Sequence, residues 1–315
     1  MGYESILSHQ TMLKDEIRTD GYRRALEKVV RKGDRVLDFG CGTGILSFFA
    51  ARAGASFVFA LDETNIVRLA KRIAEDNGFD NIFFYHDDHE TFQLDAPVDV
   101  LVSEWMGSFV FHEWMLEPLV RLRDRWLKPG GVMVPRRISL KLGLITDASV
   151  IGDRDFFTAP YGIDYSVVRE WPLYNVLSKT VRSDQVLSFV ISLGELDMQC
   201  CPGTPPPLSG ATTVEVDATI HGLAGWFDAE LCEGISFGTG PFDPTTHWSR
   251  LVFPLADPLE VRAGTEVRAS VIPYRRAEDQ ATFWQWSVEI DNRRIDMDDF
   301  VHQGWLRREL PMGRL

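Results

Sequence analysis

Two glutamates nine residues apart, Glu104 and Glu113, sit in the stretch S-E-W-M-G-S-F-V-F-H-E-W-M-L from Ser103 to Leu116. Taken singly, each is most simply a solvated carboxylate or a residue at a helix start. Their setting changes that reading. Glu104 follows the apolar run Val98 to Val102 and so ends a strand, while Gly107 lets the chain turn back between the two carboxylates. Trp105, Met106, Phe109, Phe111 and Trp114 give them an apolar and aromatic setting. Two carboxylates converging there would repel, and one would hold its proton above the usual range. A planar cation with forked donors relieves the repulsion, and a guanidinium has that shape.

A second constellation lies upstream. V-L-D-F-G-C-G-T-G-I-L, from Val36 to Leu46, reads as a short buried strand around Asp38, then Gly40, Gly42 and Gly44 turning into a helix. Such a turn brings bare backbone and a helix N-terminus against a ligand, although a tight turn with no ligand has the same pattern. The G-x-G-x-G spacing lacks the third glycine of the dinucleotide fingerprint, so no pyrophosphate cradle is required. Asp62 ends the next strand, where it can accept from ribose hydroxyls, and Glu90 follows the third strand, within reach of an adenine amino group. An adenosyl ligand without phosphates fits this set, and S-adenosyl-L-methionine is the common one.

Holding these groups together requires a scaffold. Met1 to Thr19 and Tyr22 to Val30 read as helices, with Met12, Leu13 and Ile17 spaced for one face. Strands are predicted at Val36, Phe57–Leu61, Ile82–Tyr85, Val98–Val102 and Val132–Val134, alternating with helices at Ile45–Ala53, Ile66–Asn77 and Pro118–Leu127. That alternation implies a parallel, doubly wound sheet with ligands at its strand C-termini. Beyond Pro135 the texture changes to strands and turn clusters: Ser139–Leu144, Gln185–Leu193, Thr213–Ile220, Ile235–Phe237, Leu251–Leu255, Glu266–Pro273 and Phe283–Ile290. An antiparallel β domain starting near residue 137 follows. Between its first strands, 153–186 carries Tyr161, Tyr165, Trp171, Leu173 and Tyr174 in a polar setting, either a covering loop or an arm toward a second subunit.

With 315 residues, 45% hydrophobic and 25% charged, the chain is long enough for two packed domains. The sequence shows no transmembrane run and no charged-then-apolar leader, so a cytoplasmic protein is expected. Cys41, Cys200, Cys201 and Cys232 have no metal-ligand spacing, and neither a zinc site nor a disulfide framework is expected. A net charge of -13 opposes nucleic acid and anionic membranes and favours a cationic substrate.

The glycine loop, the paired-glutamate loop and Thr246-His247-Trp248, together with H-x-x-M-L-K-D-E-I-R-T from His9 to Thr19, resemble the class I, S-adenosylmethionine-dependent protein arginine N-methyltransferases. The resemblance runs over essentially the whole chain. It implies an α/β architecture: an N-terminal helical cap (1–32), a Rossmann-like class I methyltransferase domain (33–136), and an antiparallel β-barrel-like domain (137–315) with a dimerisation arm at about 153–186. It also implies a homodimer. Carried over by position, Arg18 would pair with the methionyl carboxylate of the cofactor, Gly40 and Gly42 would approach it, Asp62 would take the ribose and Glu90 the adenine. His9 and Met12 would close the pocket. Glu104 and Glu113 would hold the substrate guanidinium, with Trp105, Met106, Ser108, Met115 and Trp248 around it. His247, oriented by Asp15, would carry away the proton; a histidine simply packed beside Trp248 is the plainer reading of the same residues.

Two positions depart from the family. Tyr3 matches the last of three aromatic residues expected before the first helix, and the tyrosine–phenylalanine pair has no counterpart. Ser108 stands where a bulky tyrosine is usual, which should enlarge or rewire the guanidinium pocket. The expected activity is methyl transfer to a terminal guanidino nitrogen of arginine in a protein. Free L-arginine or another small guanidino metabolite is the alternative substrate. A methyltransferase for a different nucleophile and a non-catalytic cofactor-binding dimerisation scaffold are the rival functions.

Overall fold

α1 (Ile6–Lys14) and α2 (Glu16–Val29) open the computed structural model, which describes residues 5–152, 155–275, 282–291 and 293–299. They part at Asp15, whose carboxylate accepts the Arg18 N–H at 3.1 Å and caps α2. The sequence placed the break later, near Gly21. That glycine lies inside α2 instead, because a Cβ there would meet Leu231 Cδ1 at 3.3 Å; bare backbone lets the helix lie close on the β domain.

β1 (Arg35–Phe39), α3 (Ile45–Ala53), β2 (Phe57–Asp62), α4 (Ile66–Asp76), β3 (Ile82–His86), β4 (Val98–Ser103), α5 (Leu116–Trp126) and β5 (Leu127–Val134) follow. The five strands pair in parallel in the order β3-β2-β1-β4-β5. Val36, Leu37, Val58, Ala60, Val100 and Leu101 are buried, as strands covered on both faces demand. The order reverses between β1 and β4, which makes the crevice beyond their C-termini the natural ligand site. The glycine loop leaves one of these strands and the glutamate loop leaves the other.

The remaining strands are β6 (Arg137–Ile145), β7 (Leu177–Lys179), β8 (Val186–Asp197), β9 (Leu208–Thr213), β10 (Ala218–Cys232), β11 (Ile235–Gly238), β12 (Arg250–Val261), β13 (Glu266–Arg275), β14 (Thr282–Ile290) and β15 (Arg293–Asp298). They form antiparallel sheets ordered β7-β12-β10-β6-β8, with β11 on β10, and β15-β14-β13-β9. The Trp286 indole N–H donates to Pro254 O at 2.7 Å and ties the sheets together. At the other side β9 crosses β8 so closely that a Cβ on Gly210 would lie 2.0 Å from Ser192 O. Pairing among the described residues leaves two packed sheets, so the barrel is an open one.

The segment expected as an arm contains short 3-10 turns, at 156–158, 160–162, 166–168 and 171–174, before β7. Leu173 is buried, while Phe156, Tyr161, Ile163 and Val167 are exposed. Among the described residues no helix is long and apolar enough to cross a membrane.

Candidate active site

Glu104 is fixed by what surrounds the end of β4. The Ser103 hydroxyl donates to Phe39 O at 2.7 Å, joining the C-termini of β4 and β1, and the Tyr22 hydroxyl donates to Ser103 O at 3.1 Å. Arg18, one turn before Tyr22 on α2, places Nε and Nη2 each 2.9 Å from Glu104 Oε2. Both side chains are nearly closed off from solvent, at 7% and 8% exposure. Arg18 Nη1 is buried with no partner. Burial, reinforced by the Glu104 charge, raises the Tyr22 phenol well above its ordinary value, which keeps it a neutral donor.

Glu113 returns toward Glu104 through Gly107. That glycine has φ +48°, and a Cβ on it would sit 2.8 Å from Glu113 Oε1, so the carboxylate lies against the glycine backbone. The loop between them is braced from the β domain. Phe109 packs against Phe253 and Trp284 with ring centroids 5.9 and 5.6 Å apart, and Gly225 leaves room for it. The Thr282 hydroxyl donates to His112 O at 2.6 Å.

The glycine loop leaves β1, the neighbour of β4 in the sheet. Gly42 N–H donates to Asp62 Oδ2 at 2.9 Å, while Asp62 Oδ1 accepts from the Thr64 N–H at 2.8 Å and hydroxyl at 2.6 Å. The His9 ring lies over Gly42, where a Cβ would meet its Cε1 at 2.6 Å. α1 thereby closes over the loop, with Met12 half-buried on the same helix. Above Gly40 there is space: a Cβ would meet only Met115 Cε, at 4.0 Å.

Asp15 and His247 meet across the α2–β domain boundary. Asp15 Oδ2 accepts the His247 backbone N–H at 2.8 Å and lies 2.7 Å from Nδ1 of the ring. Burial alone would push the Asp15 carboxyl up, but hydrogen bonds from the His247 ring and N–H and from Arg18 N–H outweigh it and hold Asp15 below the usual value.

The other expected site residues are placed as follows. Glu90 is turned outward, its side chain 64% exposed and its carboxylate 3.4 Å from Arg121 Nη1 on α5. Trp105 and Met106, at 2% and 0% exposure, are packed into the core. Trp248 is also core, stacked on Phe237 at 5.3 Å and edge-on to Phe227, so it supports the neighbouring His247. Arg18 holds Glu104, a pairing the sequence did not suggest. Ser108 is half-buried in the glutamate loop, and Tyr3 lies outside the described residues.

Some contributors went unassigned in the sequence. Tyr22, Ser103 and Phe109 set the geometry of the glutamate loop. Asp38, fully buried, accepts the Ser47 hydroxyl at 2.6 Å through Oδ2 and leaves Oδ1 without a partner. Burial pushes its carboxyl up to about 7. Its signal was present as an acidic residue in an apolar strand.

Comparison with known proteins agrees with this geometry. A family model described as the arginine methyltransferase oligomerization subdomain matches residues 138–289, and one described as ribosomal protein L11 methyltransferase matches 19–134. Protein arginine N-methyltransferase 1 of Schizosaccharomyces pombe is 36% identical over 275 residues, covering 84% of this chain and 80% of that protein. Protein arginine N-methyltransferase 6 of Danio rerio is 33% identical over 294 residues, covering 88% and 84%. Among solved structures, the Trypanosoma brucei PRMT1 enzyme-prozyme heterotetrameric complex with AdoHcy superposes with a TM-score of 0.88 at 31% identity, covering 94% of this chain and 98% of that one. The chain belongs to the protein arginine N-methyltransferase family.

Proposed function

We propose that the protein transfers a methyl group from S-adenosyl-L-methionine to a terminal guanidino nitrogen of arginine in a polypeptide. The observation that carries this reading is the return of Glu113 over Gly107 to the loop of Glu104, next to the glycine loop at the β1–β4 reversal.

The residues fit the cofactor. Arg18 Nη1 is a buried donor awaiting an acceptor such as a carboxylate, Gly40 leaves open space, and Asp62 retains lone pairs for hydroxyls. Bound there, S-adenosyl-L-methionine supplies an electrophilic methyl carbon on a sulfonium leaving group.

Arginine stays protonated, with a pKa above about 12, so the protein cannot wait for a free neutral base. Glu104 and Glu113 instead draw positive charge toward the nitrogens they contact and leave a remaining terminal nitrogen better able to attack. Alignment supplies much of the rate, and the Tyr22–Ser103–Phe39 chain of hydrogen bonds holds Glu104 to the cofactor side of the sheet. The product sheds one proton. His247 keeps Nδ1–H on Asp15, which leaves Nε2 to take it up.

The β domain serves as platform for the substrate and, through 153–186, for a second copy of the chain. A homodimer accords with the oligomerization subdomain matched there.

The test is Glu104→Gln. Calorimetry should find S-adenosylhomocysteine still bound, while labelled methyl transfer to an arginine-rich peptide falls by about 10³-fold or more. Equal activity would sink the mechanism. Free L-arginine assayed in parallel separates the two substrate classes, and mass analysis of the products counts the methyl groups.

A further inference from the structure

The residues on either side of Glu113 are both touched by one end of the β13–β14 hairpin. Arg275 closes β13 and Thr282 opens β14, and the two stand directly opposite each other in the antiparallel register. The Thr282 hydroxyl donates to His112 O at 2.6 Å, and the Arg275 guanidinium carbon is 6.0 Å from the centroid of the Trp114 ring. The hairpin end that makes these contacts is itself braced. In the next register pair, Tyr274 and Phe283 stack with ring centroids 5.7 Å apart, and the Tyr274 hydroxyl donates to Asp298 Oδ1 on β15 at 2.7 Å.

We infer that the Arg275–Thr282 pair is the positioning element of Glu113, an inference that rests on the arginine-methylation reading. Phe109 anchors the near side of the glutamate loop on the β domain, and the hairpin pair holds its far side. That side needs holding. Trp114 has φ of 55°, and a bulky residue keeps such a backbone only where its neighbours impose it. Released from Thr282 and Arg275, residues 112–114 would relax toward ordinary backbone and turn the Glu113 carboxylate off Gly107. Glu104 is set from the other side, by Arg18 on α2 and by the bonds that fix Ser103. The hairpin therefore governs the spacing between the two carboxylates. A reaction that depends on alignment feels a misplaced carboxylate in turnover, while the cofactor loop is untouched.

The full-length chain is assayed on an end-blocked arginine peptide at saturating S-adenosyl-L-methionine. Thr282→Val keeps the side-chain shape and removes the donor, Thr282→Ser keeps the donor, and Arg275→Met keeps an apolar stem and removes the cation. The loss of one hydrogen bond should lower kcat about fivefold in Thr282→Val, and Thr282→Ser should stay within about twofold of wild type. Arg275→Met, which loses one exposed cation–π contact, should lower kcat about threefold. Calorimetric affinity for S-adenosylhomocysteine should be unchanged in all three. Full kcat in Thr282→Val and Arg275→Met overturns the clamp. An equal loss in Thr282→Val and Thr282→Ser does so too, because the effect would then be one of packing, as does a matching loss of S-adenosylhomocysteine affinity, which would mark general destabilisation. Should Thr282→Val fail to fold, Arg275→Met, at an exposed position, decides by itself. A wild-type chain that methylates no guanidino compound overturns the arginine reading and the clamp together; an active wild type whose variants keep full kcat overturns the clamp alone.

Discussion

Arg18 and Glu104 hold each other in a nearly dry pocket, and breaking such a pair leaves an uncompensated buried charge. Glu104→Gln should therefore lower the melting temperature of the ligand-free chain. If Arg18 turns to the cofactor carboxylate, S-adenosylhomocysteine should raise the melting temperature of that variant by more than it raises that of the wild type; equal shifts would place the carboxylate elsewhere. Asp38 gives a second residue-level outcome. Its carboxyl titrates at about 7 in the folded chain against 3.8 when free, so the fold binds the extra proton between those values. The stabilisation is full below the lower value and is lost as pH rises through the upper one. Asp38→Asn, fixed in the neutral form, should melt at a higher temperature than wild type at about pH 8, and the difference should shrink toward about pH 4. A constant difference would remove Asp38 as the titrating group. The return of Glu113 onto Gly107 was legible because a glycine between the two carboxylates lets the chain double back. Side-chain direction was not: Trp105 faces the core and Glu90 faces Arg121, and neither follows from spacing.

The glutamate loop as an element is under strain. Val110 and Trp114 have φ of 60° and 55°, a left-handed backbone that bulky residues adopt only when their surroundings impose it. Phe109 wedged between Phe253 and Trp284 provides that imposition, so the β domain shapes a loop that belongs to the sheet domain. Gly107 is where the loop can least bear change. Gly107→Ala adds a Cβ 2.8 Å from Glu113 Oε1 at a positive φ and should displace the carboxylate. Methyl transfer should drop by ~10²-fold while calorimetric cofactor affinity is retained; unchanged turnover would show that Glu113 need not sit there. Strand and helix patterns were readable wherever one face is polar. β10 was missed past Ile220 because it is central and buried on both faces, which erases the alternation. Its glycines serve close packing, as Gly225 does under Phe109, and Gly21 does the same against Leu231.

At the scale of the whole molecule, the switch from strand–helix alternation to short strands was plain in the sequence, because it reflects two different ways of covering a sheet. What one chain cannot display is the surface it reserves for another. Tyr161, Val167, Ile163 and Phe156 are 102%, 75%, 58% and 55% exposed on a single stretch, an apolar concentration of the kind that marks an interaction surface. Leu173 anchors the base of that stretch, so its tip can change without disturbing either core. Replacing Ile163 and Val167 with Asp should give a folded chain with an unaltered circular-dichroism spectrum that sediments as a monomer, while the wild type sediments as a dimer at about micromolar concentration. Because α1 and α2 both close the cofactor loop and carry the Asp15 link to His247, a partner's arm pressing on the N-terminal helices would also steady the site. In that case the monomer should bind S-adenosylhomocysteine more weakly and turn over more slowly. A wild type that sediments as a monomer would remove the arm from the account, and a monomeric variant with full activity would leave the arm a role in assembly alone.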